Sequence, residues 1–304
     1  MAQDIARPQA DAATAFRARR SGWQNWGLLT SVRRFARKRT LSAVAGLFVI
    51  FFALLAIFAD VITPYGVSER GELLASPSLA HPFGTDQLGR DTLTRVIYGA
   101  RLSLGIGLVV TIASSVMGLL IGVSAGYFSG KVDKVLVMLL DAMMAFPGLI
   151  LTIALVTALG QSVQNVIIAI MVGFVARVAR LVRSNVLSVR GMPYVEAARS
   201  IGAGDIRIVL RHIVPNVMAI VIILASLNFA VAMLVEGSLA FLGLGAPPPT
   251  PSWGRMLSEE GQQFFRSAPW LGFFPGLALA LAVLGFNLLG DGLRDHLDPR
   301  LRER

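Results

Sequence analysis

Long segments without a charged residue constrain this chain more than any other feature. They are residues 40–59, 102–130, 142–176, 214–235 and 267–290, and the longest holds 35 residues. A transmembrane helix needs about 20 predominantly apolar residues to cross the hydrocarbon core of a bilayer. Only 15% of the chain is charged, whereas soluble domains are about a quarter charged. The sequence therefore predicts an all-α protein that crosses the membrane several times.

The uncharged segments divide into six predicted transmembrane helices. A single helix over residues 142–176 would overshoot the bilayer, so this segment must contain a hairpin with its turn at residues 160–162. The predicted spans cover residues 41–62, 102–126, 134–159, 163–181, 216–240 and 270–290, and Pro147 interrupts the third. About 40 residues precede the first span and no convincing cleavage site follows it. We therefore expect this span to be retained rather than removed as a signal peptide.

The distribution of lysine and arginine predicts the orientation of the spans. With the amino terminus inside, the cytoplasmic segments hold 22 of the 28 Lys and Arg residues, in agreement with the positive-inside rule. We therefore predict that both termini are cytoplasmic and that residues 63–101 form an extracytoplasmic loop. Residues 1–39 form a cytoplasmic tail, and residues 23–39 have the spacing of a basic amphipathic surface helix. A basic tail that only sets the topology is the alternative.

Several kinds of chemistry lack the residues that they need in this sequence. There is no cysteine and the three histidines are scattered, so we expect no metal site. The phosphate-binding pattern Gly-x-x-x-x-Gly-Lys-Ser/Thr is absent, and no nucleophile–base pair is evident. The net charge of +10 follows the membrane topology, so it does not indicate nucleic acid. We therefore expect a non-catalytic membrane protein that binds no cofactor itself.

The predicted cytoplasmic loop of residues 190–215 has the pattern of a compact helix–turn–helix. Residues 193–201 form a short helix, because Pro193 suits the first turn and residues 202–204 end it with two glycines. Asp205 is then a candidate cap for a second helix that runs to His212. A loop of this shape, held between two spans, suits a knob that fits a groove on a partner protein.

This loop resembles the EAA loop of ABC-importer permeases. The resemblance rests on Glu196-Ala197-Ala198, on Gly202 after three further residues, and on Pro215. Residues 211–216 look like the version found in the dipeptide, oligopeptide and nickel branch, although the broad family pattern prefers an aliphatic residue at position 212 and leucine at 214. Further segments are similar to the C-type permease of that branch, and they lie at residues 83–91, 99–104, 141–147, 238–246 and 286–299.

The resemblance implies a type I ABC-importer permease in the bacterial inner membrane, with residues 40–304 as its transmembrane domain. In that family the loop supplies the coupling helix that docks on an ATPase subunit, here residues Glu196, Ala197, Ala198, Arg199 and Gly202. The implied partners are a B-type permease, two ABC ATPases that use ATP-Mg, and an extracytoplasmic substrate-binding protein. Peptides are the leading substrate class, with glutathione-like peptides and nickel chelates as alternatives. A self-sufficient secondary transporter is the competing hypothesis, although no internal repeat supports it.

Two acidic residues inside apolar spans are candidates for lining the pathway. Ionisable groups at membrane depth are costly and are functional candidates by default, and neither Asp141 nor Glu236 has an evident partner in the sequence. Each either lines the pathway or bonds a partner helix. Asp86 and Asp91 could instead suggest calcium, but their spacing favours a structural cap. Arg101 is expected to anchor its helix at the interface.

Overall fold

The computed structural model describes residues 40–297. The predicted surface helix of residues 23–39 lies outside the described residues, as does the tail of residues 298–304. Between residues 40 and 297 there is no β-strand, and the one isolated β-bridge joins Thr85 to Asp91. The predicted all-α class is therefore confirmed.

The helices follow one another in the order of the predicted spans. They are α1 (Thr40–Ile57), α2 (Ala59–Ile62), α3 (Thr92–Phe128), α4 (Gly130–Met144), α5 (Gly148–Leu159), α6 (Val163–Arg190), α7 (Pro193–Ser200), α8 (Asp205–Ile208), α9 (Val214–Phe241), α10 (Trp253–Arg255) and α11 (Trp270–Leu297). Two π-helical turns, Val209–Ile213 and Met256–Gly261, lie between α8 and α9 and directly after α10.

Four helical runs are long and apolar enough to cross a membrane. They are α3, α6, the run Asp205–Phe241 and the run Trp270–Asp295. Helices α4 and α5 meet at a bend of 89° and together count as a fifth candidate, so the predicted interruption at Pro147 is confirmed. Helix α1 is apolar but shorter. By length and composition the described residues thus supply four or five spans, and the count of six stays a prediction.

Helix α3 begins ten residues before the predicted second span. Asp91 is its N-cap, and the Asp91 carboxylate accepts a hydrogen bond from the Thr94 amide at 2.8 Å. Such a cap satisfies an amide that an α-helix leaves unpaired in its first turn. The predicted loop of residues 63–101 therefore ends at Asp91, and Arg101 lies within the helix. Its guanidinium donates to the Ala56 carbonyl at 2.8 Å, which ties α3 to the end of α1.

Small residues allow α3 and α6 to approach closely. Glycines at every fourth position of α3 face valines of α6, namely Gly118, Gly122 and Gly126 against Val178, Val182 and Val186. A Cβ atom at Gly122 would lie 2.6 Å from the Ala179 carbonyl oxygen, so no larger residue fits there without a shift. Helices in lipid associate through this kind of close packing, because the lipid tails provide no hydrophobic driving force between them. The α3–α6 pair positions the loop that follows α6.

Residues 63–91 form a cap that packs against α3 and the start of α11. Phe83 stacks on Phe274 with ring centroids 3.8 Å apart. A buried network of four charged residues joins the cap to α3 and to the second π-helical turn, and its members are Asp86, Arg90, Arg95 and Glu260. Asp86 also accepts hydrogen bonds from the amides of Leu88 and Arg90. Asp86 and Asp91 are therefore both held by protein donors, as the structural interpretation predicted.

Candidate functional site

The helix–turn–helix that follows α6 begins with α7. Pro193 occupies its first turn, where a missing N–H costs nothing, and Met192 before it is extended. Helix α7 ends at Ser200, and Gly202 takes the left-handed conformation with φ +82°. The amides of Gly202 and Ala203 bond back to the carbonyls of Arg199 and Ala198, at 3.0 and 3.1 Å. The predicted short helix and its glycine turn are therefore confirmed as local structure.

Helix α7 has one buried and one exposed face. Val195 and Ala198 are buried, and Val195 belongs to an apolar cluster with residues of α3, α6 and the run from α8 to α9, namely Tyr127, Val182, Val186, Ile208, Ile213 and Val217. Glu196, Ala197 and Arg199 are exposed, and so is Gly202. Four of the five residues predicted for coupling therefore lie on the outward surface. The fifth, Ala198, is on the buried face of the helix.

Exposed apolar side chains occur on α7 and on the segments directly before and after it. They are Met192, Tyr194, Ile201, Ile206 and Leu210, and Ile201 is 86% exposed. We call these five residues the apolar rim. Exposed apolar patches with polar neighbours mark sites of interaction with proteins or with the membrane. Sequence reasoning singled out the Glu-Ala-Ala motif and missed the rim, although isoleucine and leucine in a polar loop were a usable signal.

Tyr127, at the end of α3, ties the loop to the transmembrane helices. Its hydroxyl donates to the Asp205 carboxylate at 2.6 Å, and the Arg199 guanidinium lies 6.0 Å from the centre of its ring. Asp205 lies 78 positions from Tyr127 in the chain, so no local pattern could have connected the two. The predicted role of Asp205 as a cap is wrong, because Gly204 precedes α8 and no side chain caps it. Asp205 instead accepts the hydrogen bond from the Tyr127 hydroxyl.

The second helix of the loop does not end at His212 as predicted. Helix α8 passes into the π-helical turn Val209–Ile213, which passes directly into α9. The whole run Asp205–Phe241 is a single candidate span of 37 residues. The loop is therefore continuous with a transmembrane helix, with no flexible connection between α8 and α9.

Asp141 has a partner that the sequence did not reveal. Its carboxylate forms an ion pair with Arg180 of α6, and about half of each side chain is exposed. Asp133 of the same helix pairs with Arg183, whose Nε and Nη2 donate at 2.5 and 2.7 Å. These ion pairs fix α4 along the end of α6 that leads to α7. The expectation that Asp141 lacks a partner in this chain is therefore wrong.

Glu236 is enclosed by the helices of this chain. Its side chain is fully buried, and its carboxylate accepts a hydrogen bond from the Ser103 hydroxyl of α3 at 3.2 Å. The Ser252 hydroxyl is also close enough to interact with it. Here too the sequence missed the partner, because Ser103 lies 133 positions away. Glu236 joins α9 to α3, whereas Asp141 joins α4 to α6, so the structure does not bring the two carboxylates to one site.

Comparison with known proteins identifies the family of the chain. Residues 118–303 match the family model described as binding-protein-dependent transport system inner membrane component. The chain is 45% identical over 268 residues to the dipeptide transport system permease protein DppC of Alkalihalophilus pseudofirmus, covering 87% of this chain and 88% of the relative. It is 40% identical over 273 residues to the glutathione transport system permease protein GsiD of Pectobacterium atrosepticum, covering 89% and 90%.

These matches favour the ABC permease over the alternative of a self-sufficient secondary transporter. They also agree with a non-catalytic, multi-pass inner-membrane subunit, because ATP is hydrolysed by separate subunits in such systems. The resemblance of the chain to the ABC-importer permeases is thereby confirmed. The chain belongs to the family of binding-protein-dependent transport system inner membrane components.

Proposed function

We propose that this chain is a C-type permease subunit that forms half of a pathway for peptides and that α7 couples it to a cytoplasmic ATPase. The division of α7 into two faces carries this proposal. Val195 and Ala198 hold the helix on the transmembrane body, while Glu196, Ala197 and Arg199 point outward. A helix that only connected two spans would need no outward motif beside an apolar rim. A groove of mixed polarity on a partner protein would cover both the outward polar residues of α7 and the apolar rim.

The connections on either side of α7 suit the transmission of movement. Helix α6 leads into α7 through Gly191 and Met192 alone, and α8 continues into α9 without a loop. Tyr127 adds a third attachment, to the end of α3. A partner that displaces α7 therefore acts on three transmembrane helices at once. Packed side chains and rigid helices of this kind can carry coupling between distant sites.

The remaining subunits follow from what this chain lacks. It has no phosphate-binding loop, so two partner ATPases would bind and hydrolyse ATP-Mg. A B-type permease would supply the other half of the pathway, and an extracytoplasmic binding protein would deliver the substrate. Peptides are the favoured class because the relatives are named for dipeptide and glutathione transport. In this assembly the loop of residues 190–215 and both termini face the cytoplasm.

Reversal of one exposed charge tests the proposal. The Glu196→Lys variant changes the outward face of α7 without touching its buried face, and like charges brought together at an interface can cost several kcal/mol. We expect normal insertion and assembly with the second permease. We also expect loss of the ATPase stimulation that loaded binding protein produces in the reconstituted complex.

The Glu72→Lys variant is the matched control, since it reverses an exposed charge in the cap of residues 63–91. It should retain the stimulation of ATP hydrolysis. If the Glu196→Lys complex is stimulated and transports as well as the unmodified complex, α7 is not the coupling element.

A further inference from the structure

The bent pair of α4 and α5, which we call the broken span, has an unusual exposed surface. Residues 145–147 separate the two helices and lie in no helix. They are exposed, and so are Met144 before them and Gly148, Leu149 and Ile150 after them. A Cβ atom at Gly148 would meet nothing within 4 Å. The break thus faces open space beside this chain.

The break lies near the middle of the membrane. The Gly148 carbonyl oxygen lies beside Gly173 of α6, 3.9 Å from where a Cβ atom would stand. Gly173 is ten residues beyond Val163, at which α6 begins. At 1.5 Å per residue this is a depth of about 15 Å, which is half of a hydrocarbon core about 30 Å thick.

Backbone groups at the break are left without partners. The Ala145 amide bonds to the Asp141 carbonyl, and the next amide with a backbone acceptor is that of Leu151. Among the described residues, nothing accepts from the four amides between them, those of Phe146, Gly148, Leu149 and Ile150. Unpaired backbone groups cost several kcal/mol each in hydrocarbon. Non-helical backbone at this depth therefore occurs where protein covers it or where it lines a water-filled cavity.

Charged side chains beside the break decide between those two environments. Asp141 lies one turn before the break, and about half of its side chain is exposed even within its ion pair with Arg180. Arg177, on the same side of α6 as Arg180, is also exposed. A dry contact with a partner helix would strip water from all three groups, and such desolvation is costly. Water satisfies both the charges and the free amides.

We propose that residues 144–150, together with Asp141, Arg177 and Arg180, form a wall of the water-filled translocation pathway and do not face lipid. This inference rests on the proposed function, and it gives that function a location on the chain. A peptide carries an ammonium and a carboxylate, so it crosses the membrane most readily along a surface that offers water and both signs of charge. Glu236, which is enclosed within the chain, takes no part in this wall.

Cysteine labelling of the assembled importer tests the location of the wall. The chain contains no cysteine, so each introduced thiol is the only one on this subunit. We would label Phe146→Cys and Leu149→Cys in inside-out membrane vesicles with a water-soluble methanethiosulfonate, both without nucleotide and with ATP and vanadate. The cysteine thiolate attacks the sulfenyl sulfur of the reagent, forming a mixed disulfide and releasing methanesulfinate, and the thiolate forms in water and not in hydrocarbon. The mass shift of this chain measures the reaction.

Ile112→Cys is the matched control. Gly118 and Gly122 of α3 lie against Val178 and Val182 of α6, so position 113 is at the depth of Gly173. Ile112 is 55% exposed and Phe146 is 58% exposed, so a difference in labelling rate between them reports their surroundings in the assembled importer and not their exposure within this chain. We expect the thiol at position 146 or 149 to react at least about tenfold faster than the one at 112 in one of the two states.

Equal rates at positions 146, 149 and 112 would overturn the inference, and so would the absence of labelling at 146 and 149 in both states. The second outcome would mean that the second permease covers the break without water. Neither result would affect the proposed coupling function, because that function is judged by the ATPase response of the Glu196→Lys complex.

Discussion

Substitutions at Gly202 test whether coupling depends on the direction of α7, because they change the backbone turn and leave the exposed side chains of α7 unchanged. Gly202 has φ +82°, in the left-handed region that side chains other than glycine rarely adopt. A Cβ atom there would meet nothing within 4 Å, so substitution creates backbone strain and no clash. Serine at position 202 should cost about 1–2 kcal/mol, and the β-branched Gly202→Val should approach about 3 kcal/mol. Asparagine tolerates this conformation best and should cost least.

The strain is relieved if α7 tilts away from its orientation in the structure. The strain energy therefore lowers the fraction of molecules in which the loop is correctly placed. A cost of 1–3 kcal/mol corresponds to about 5- to 150-fold in that equilibrium. We therefore expect stimulated ATP hydrolysis to be highest with asparagine at position 202, lower with serine and lowest with valine. Stimulation by loaded binding protein in the reconstituted complex is the assay, with the amount of assembled complex measured in parallel.

Gly204 provides the matched control, two residues along the same loop. Its φ is −68° and its surroundings are also open, so Gly204→Ser creates neither strain nor a clash. Serine is also a good N-cap for α8, which begins at Asp205. We expect Gly204→Ser to retain full stimulation. If Gly202→Val matches Gly204→Ser, or if the order at position 202 is not observed, then the direction of α7 does not depend on this turn.

Two further predictions concern the attachment of the loop and its side of the membrane. Tyr127→Phe removes the hydroxyl that donates to Asp205, and because Asp205 is exposed to water the loss of this hydrogen bond should cost only about 1 kcal/mol. Stimulated ATP hydrolysis should fall partly. No change in it would mean that the hydrogen bond does not position α7. In intact cells, an impermeant thiol reagent should label Ser76→Cys and leave Ser200→Cys unlabelled, and labelling of Ser200→Cys from outside would contradict the proposed orientation.

Local patterns were enough to predict most of the helices and the turn of the loop. Charge-free stretches predicted where α3, α6, α9 and α11 lie, because the absence of charge over 20 residues is required by the bilayer and depends on no tertiary contact. The glycine at position 202 predicted the end of α7 for an equally local reason, its tolerance of positive φ. The boundary errors arose at polar side chains. Asp91 caps α3, which begins ten residues before the predicted span, and Asp205 does not cap α8.

The sequence alone thus determined the membrane class, the approximate spans, the Glu-Ala-Ala motif of α7 and the resemblance to a family. Only the tertiary structure decided which side chain meets which, because the partners lie far apart in the chain: Asp141 with Arg180, Glu236 with Ser103, and Tyr127 with Asp205. It also decided which face of each helix is buried, so that Ala198 is on the buried face of α7 and residues 145–147 at the break are exposed. Periodicity and composition describe a helix by itself, whereas burial and pairing depend on how helices distant in sequence pack against one another.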